Sequence, residues 1–313
     1  MSDKKNIRLG TRGSKLALWQ AYYVQDKLKA IGVDSEIVII ETKGDKILDR
    51  SLSKIGSKGV FTEELEEKLR SGEIDVAVHS AKDMQSELPE DLHVIAFTER
   101  EQVNDVLVSL NDSLSLKKNN DFVIGTSSTR RVAMLKAFYP SIRIVDMRGN
   151  LQTRIKKMEE GTCDALLLAF AGVNRMGYNN MIVDTFATDT FTPAVGQGSV
   201  AIEASKSLDS ESVELIRQAC NDSQTELCLL AERAFLRKLQ GGCSIPVFGN
   251  CRIDNEKLIL NAGIISLDGQ KEIRKTLEAP LDKAVELGEE MADIIFEMGG
   301  GEILKEIRQK LAN

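Results

Sequence analysis

The sequence predicts an α/β protein in which two βα domains of common design precede a smaller α+β domain. Short apolar runs that end abruptly in polar residues alternate with helix-periodic segments. The markers Gly-Thr, Lys/Arg-Gly-Asp/Asn and Gly-x-x-Asp-strand then occur twice in one order. They fall at Gly10-Thr11, Lys43-Gly44-Asp45 and Gly72 to Asp75, and again at Gly125-Thr126, Arg148-Gly149-Asn150 and Gly161 to Asp164. From Ser223 the pattern changes to a long helix, a hairpin and further helices.

The elements follow in order. Ile7 to Leu9 reads as a strand, and a helix with Leu16, Leu18, Trp19, Tyr23, Val24 and Leu28 near one face runs to Gly32. Glu36 to Ile40 is a second strand. Thr62 is placed to N-cap a helix over Glu63 to Arg70, whose first glutamates suit the helix dipole. Ile74 to Val78 is a buried strand that ends in His79, Ser80, Lys82 and Asp83, and a strand end of that kind in an open sheet is where ligands sit. In the second half, Phe122 to Ile124, Ile142 to Val145 and Ala165 to Leu168 read as strands, with helices around Val132 to Ala137 and Ile155 to Glu160. Ser223 to Glu226 has the form of a capping box for a helix through Leu239, and Asp268-Gly269 joins strands Lys257 to Ser266 and Lys271 to Leu277. Thr98 to Asn104 and Thr188 to Gly198 can connect the two βα lobes, giving a hinged cleft as in periplasmic binding proteins.

Composition narrows the function. The 313 residues are 42% hydrophobic and 28% charged, ordinary for a soluble globular protein. The start has no apolar signal region, and Ala165 to Val173, the longest apolar run, is too short to span a bilayer. Five cysteines without CxxC spacing and two histidines argue against zinc and a disulfide framework, and fit a reducing cytoplasm. A net charge of −7 argues against nucleic acid as partner. Local arginines in so acidic a chain suggest a small anionic ligand.

Ile124 to Arg131 joins a strand, a hydroxyl-rich turn and a helix start, an arrangement that binds anions. Arg130 and Arg131 add planar forks for carboxylate or phosphate, although an N-cap with two solvated arginines is the plainer alternative. Gly10 to Ser14 repeats the apparatus with Arg12. Lys43, Lys58, Lys82, Arg148, Arg154 and Arg175 enlarge the cationic surplus, against which Asp83 is the chief carboxylate. No Walker A loop or GxGxxG is present, so nucleotides are not indicated. Cys243 lies in the glycine-rich turn Gly241-Gly242-Cys243, where a nucleophilic or attachment role competes with that of a buried filler.

Taken together, Thr11 to Ala17, Lys43-Gly44-Asp45, Lys58 to Phe61, Val78 to Asp83, Gly125 to Arg131, Arg148-Gly149-Asn150, Ala169 to Gly177, Pro193 to Gly198 and Gly241-Gly242-Cys243 closely resemble the porphobilinogen deaminase (hydroxymethylbilane synthase) family. The resemblance implies two domains like a periplasmic binding protein around a cleft, plus the smaller α+β domain. Domain 1 would comprise 1–99 with 196–219, domain 2 100–195 and domain 3 220–313. It implies a transferase that deaminates and joins four porphobilinogen molecules on a dipyrromethane cofactor, bound through a thioether to Cys243. The product, a linear tetrapyrrole, would be released by water. Arg12, Ser14, Gln20, Lys58, Ser80, Lys82, Thr126, Ser128, Arg130, Arg131, Arg148, Gly149, Arg154 and Arg175 match cofactor- or substrate-holding positions, and Asp83 matches the carboxylate that stabilises the cationic pyrrole. A cytoplasmic monomer with no metal, nucleic-acid or membrane partner is expected. Thr129, Gln85, Ser57, Glu63 and Asn104 depart from the usual family residues, which bears chiefly on the loop around Lys58. Two other readings explain less. A binding protein for a small organic anion leaves Cys243 without purpose, and a cysteine-dependent acyl transferase lacks a histidine near Cys243 in sequence.

Overall fold

The computed structural model describes residues 5–46, 62–116, 121–242 and 244–312. They form two compact units. The first is built from the described residues of Met1–Arg50, Lys58–Glu101 and Gly198–Glu226, and the second from those of Gln102–Gln197 and Leu227–Asn313.

In the first unit, β1 (Asn6–Thr11), α1 (Lys15–Ala30), β2 (Asp34–Ile39), the single turn α2 (Lys43–Lys46) and α3 (Glu63–Ser71) lead to β3 (Val76–Ser80) and β4 (Leu92–Phe97). Here β10 (Val200–Ser205) returns antiparallel between β3 and β4, giving the order β2-β1-β3-β10-β4, with β1 parallel to both neighbours. Central β3 is buried along Val76-Ala77-Val78-His79, whereas edge strand β2 alternates and leaves Ile39 exposed. Leu9, Val76, Val78 and Ile202 meet Val24 and Leu28 of α1 in one core. Each such buried aliphatic side chain contributes roughly 1.5–3 kcal/mol.

The second unit repeats the plan. It holds β5 (Asp105–Ser109), β6 (Val123–Gly125), α4 (Thr129–Phe138), β7 (Arg143–Val145), α5 (Leu151–Glu159), β8 (Ala165–Ala169), α6 (Phe170–Arg175) and β9 (Ile182–Thr185). Its order is β7-β6-β8-β5-β9, with β6 parallel to both neighbours and β5 antiparallel to β8 and β9. The repeated Gly-Thr marker has a packing cause in both sheets. A Cβ on Gly10 would stand 2.3 Å from Ile74 Cδ1, and one on Gly125 would stand 2.9 Å from Cys163 Sγ.

A third, antiparallel sheet of β11 (Val247–Asp254), β12 (Lys257–Ile265) and β13 (Glu272–Pro280) packs with α8 (Ser223–Lys238), α9 (Ala284–Ile295) and α10 (Gly301–Ala312). Helix α7 (Ser210–Cys220) belongs to the first unit. The α/β class with two alike βα sheets and a smaller α+β part is therefore the observed one.

Two local expectations are corrected. Thr62 makes no side-chain cap to α3, because its hydroxyl instead accepts the Gln85 Nε2–H at 3.1 Å. At α8 the cap is Asp222, which accepts the Thr225 N–H at 2.7 Å, while Glu226 is drawn away to Arg217 and Asn221. A carboxylate one residue earlier, with a guanidinium ready for Glu226, outcompetes the Ser223 box.

Candidate active site

In the first unit the candidate side chains gather where β1 and β3 end. Ser14 N-caps α1, accepting the Ala17 N–H at 3.3 Å, and the helix then carries buried Gln20 back over the sheet. Gln20 Nε2 donates to Ser80 Oγ at 2.8 Å. Arg12, Ser14, Gln20, His79, Ser80 and Asp83 share one pocket. The Asp83 carboxylate is exposed at the end of a single turn, Ala81–Asp83, in which Lys82 is half-buried. Behind this turn lies a pair the sequence did not disclose, buried His79 Nε2 at 3.1 Å from Glu203 Oε2 on β10.

In the second unit Ser128 N-caps α4, its hydroxyl accepting the Arg131 N–H at 3.5 Å. This cap sets Arg130 and Arg131 in the first turn of the helix. The sequence offered planar forks for carboxylate or phosphate, or two solvated arginines, and burial rules out the solvated pair. Both guanidiniums are buried on one carboxylate, with Arg130 Nη2 2.7 Å from Asp105 Oδ2 and Arg131 Nη2 2.7 Å from Asp105 Oδ1. Arg130 Nη1 also donates to Thr192 O at 2.9 Å, and Arg131 Nη1 to Leu167 O at 3.0 Å. Gln197 Nε2 donates to Asp105 Oδ1 at 2.9 Å. Burial alone would raise the Asp105 pKa, but the two guanidiniums hold it well below the usual carboxylate range. Burial pushes Arg130 down from its ordinary value against the pull of Asp105.

Two positive groups against one negative leave one buried positive charge. The Nε–H of each arginine is also buried and has no hydrogen-bond partner among the described residues. Buried donors are rarely left unmade, since each costs about 1–3 kcal/mol. The arrangement is therefore suited to an added anion.

Arg148 and Gly149 lie in the turn before α5, and Arg154 stands in the first turns of that helix. Gly149 has φ +113°, and a Cβ there would stand 2.6 Å from Thr153 Cγ2, so both conformation and space call for glycine. Arg154 Nε donates to Gly149 O at 2.7 Å, and Arg148 Nε lies 3.4 Å from Asp146 Oδ2. Buried Thr126 lines a second pocket with Ser127, Lys136 and Asp146. Arg175, half-buried, ends α6. Lys58 and Cys243 lie outside the described residues. Cys163, Cys220, Cys228 and Cys251 are buried free thiols. Burial pushes Cys163 up to about 11 and Cys220 up to about 12. Among the described residues no His/Cys/Asp/Glu group could hold a metal ion, and no helix is long and apolar enough to cross a membrane.

Asp105 and Gln197 escaped the sequence reading. The available signal was a carboxylate opening the wholly apolar run Val106-Leu107-Val108, where only a buried cationic partner makes an acid tolerable.

Two family models match. One, described as porphobilinogen deaminase, dipyromethane cofactor binding domain, covers residues 7–214, and the other, porphobilinogen deaminase, C-terminal domain, covers 226–297. The porphobilinogen deaminase of Cytophaga hutchinsonii is 56% identical, over 98% of this chain and 99% of its own length. That of Desulfosudis oleivorans is 52% identical, over 97% and 98%. Among solved structures, the methionine binding protein MetQ aligns with TM-score 0.46 and 14% identity, over 69% of this chain and 90% of that one. With models matching both its large N-terminal part and its C-terminal part, and relatives above half identity along nearly its whole length, this chain belongs to the porphobilinogen deaminase family.

Proposed function

We propose that Arg130 and Arg131 hold carboxylates of the dipyrromethane cofactor or of the growing pyrrole chain, and that Asp83 is the catalytic carboxylate. As a porphobilinogen deaminase, or hydroxymethylbilane synthase, the chain is a transferase that joins four porphobilinogen molecules with loss of ammonia. The observation that carries the proposal is the buried arginine pair, which among the described residues has one surplus positive charge and two Nε–H donors without a hydrogen-bond partner. A ligand rich in carboxylates fits that donor set. When bound, the cofactor supplies a nucleophilic pyrrole carbon to which substrate units are joined.

The chain's own residues do the rest. Arg12 adds positive charge to the first pocket and Lys82 to the turn that carries Asp83, and Ser14, Gln20 and Ser80 offer hydrogen bonds that orient a ligand there. Thr126, Ser128, Arg148, Gly149, Arg154 and Arg175 extend the holding surface of the second unit, and Lys58 is assigned a holding role by the family alone. Exposed Asp83, beside these donors, stabilises positive charge on the substrate's pyrrole nitrogen as ammonia leaves, and helps relay the proton that the attacking pyrrole carbon gives up when the new bond forms. Cys243 would carry the cofactor.

The same reading keeps three domains, at 1–99 with 196–219, 100–195 and 220–313. Buried free thiols and the lack of a membrane-crossing helix among the described residues support a cytoplasmic setting, and we take the enzyme to act as a monomer. The intact mass of purified protein tests the attachment. A mass above the polypeptide by two linked pyrrole units, absent from Cys243→Ser, is expected. A bare polypeptide mass in active enzyme would contradict it.

A further inference from the structure

We infer that Asp105 and Gln197 are positioning residues for the anion site, and that Glu232 ties their placement to the C-terminal sheet. The inference rests on the reading that Arg130 and Arg131 hold carboxylates. Asp105 itself is fully enclosed: Oδ2 receives Arg130, and Oδ1 receives Arg131 and Gln197. A guanidinium has five N–H donors in a rigid fork. Fixing one Nη on Asp105 and the other on a main-chain carbonyl determines where each remaining Nε–H stands. Asp105 thus sets the aim of both arginines without touching the ligand.

Gln197 fixes Asp105 in turn. Its Nε2 also donates to Val103 O at 2.7 Å, so the amide is pinned on two acceptors. One residue earlier, the Gly196 N–H donates to Glu232 Oε2 at 2.8 Å, while Glu232 Oε1 accepts the Cys251 N–H at 2.7 Å. Glu232 belongs to α8, is fully buried, and therefore clamps the loop before β10 to β11. A second clasp lies nearby, the Gly249 N–H donating to Pro193 O at 3.1 Å. Helix α8 and strand β11 are also the elements that flank Cys243 in the chain. The arginines are thus referred, through Asp105, Gln197 and Glu232, to the two elements between which Cys243 falls in sequence.

Gln197→Met is the test, since it keeps length and volume while removing the donor to Asp105. We expect KM for porphobilinogen to rise about tenfold with kcat within about twofold, as suits loss of one hydrogen bond to a charged group. A merely structural role would lower the melting temperature and leave KM of the folded enzyme unchanged, and that result overturns the inference. Glu232→Gln keeps one acceptor and the side-chain volume, and reads the same link from further away should Gln197→Met not fold. A rise in KM of about threefold is expected for it, and an unchanged KM overturns the tie to β11. Arg131→Leu, assayed alongside, separates the levels. If it too behaves as wild type, the anion reading itself fails. If it is impaired while Gln197→Met is normal, only the positioning role fails.

Discussion

The two βα sheets share one strand order, yet they handle their cations in opposite ways. Ser80 at the end of β3 pairs with Val200, and the corresponding Ala169 at the end of β8 pairs with Asp105. The same register position thus holds an apolar side chain in one sheet and a carboxylate in the other. In the first sheet Arg12 stays half-buried in the turn beside exposed Asp83. In the second, the carboxylate draws two arginines under cover and lowers its own pKa. In the proposed function, the first sheet's exposed acid does the chemistry and the second sheet's buried cation pair does the holding.

The largest expected effect breaks the second arrangement. Asp105→Ala leaves two buried guanidiniums without their anion, and should cost about 3–5 kcal/mol of stability. Val200→Ala at the matching position removes only two buried methyl groups, worth about 1.5–2.5 kcal/mol. Denaturant unfolding of both variants checks the order, and equal losses would mean that the acid does no more than fill space.

Asp83→Asn tests the first arrangement. Because Asp83 is exposed, its melting temperature should stay close to wild type while turnover falls by more than a hundredfold. Asp83→Glu should retain measurable turnover, since about 1 Å of misplacement costs on the order of a hundredfold. An active but less stable Asn variant would make Asp83 a loop holder.

Acid reads the comparison more gently. The folded Asp105 carboxyl titrates below its unfolded value, so its stabilising contribution is complete above about pH 4 and is lost as pH falls toward the folded value. Unfolding followed between pH 5 and 2 should show a loss that is missing in Asp105→Asn. The smallest effect concerns thiols. Alkylation of the native protein at pH 8 should spare Cys163 and Cys220, whose burial raises them to about 11 and about 12.

Much of this was legible from local pattern. The paired Gly-Thr turns, the hydroxyl-rich helix starts that follow them, and the polar end of β3 all follow from short-range rules of strand, turn and helix. What stayed hidden was long-range. Strands β5 and β10 pair antiparallel with partners roughly 60 and 120 residues away, and nothing in their short apolar runs names those partners. Asp105 finds its arginines 25 and 26 residues on, so the burial of the pair depends on sheet register rather than helix spacing. The Ser223 box failed for a related reason, because Arg217 and Asn221 compete for Glu226.

The central claim is that the buried surplus charge on the arginine pair is completed by a carboxylate of the cofactor or pyrrole chain. Arg131→Leu tests it most directly, since it leaves Arg130 and Asp105 as a balanced pair with Gln197 still on Oδ1. The folded variant should lose most of its two-pyrrole mass adduct, together with its turnover. An Arg131→Leu protein that carries the full adduct and turns over at the wild-type rate would contradict the account.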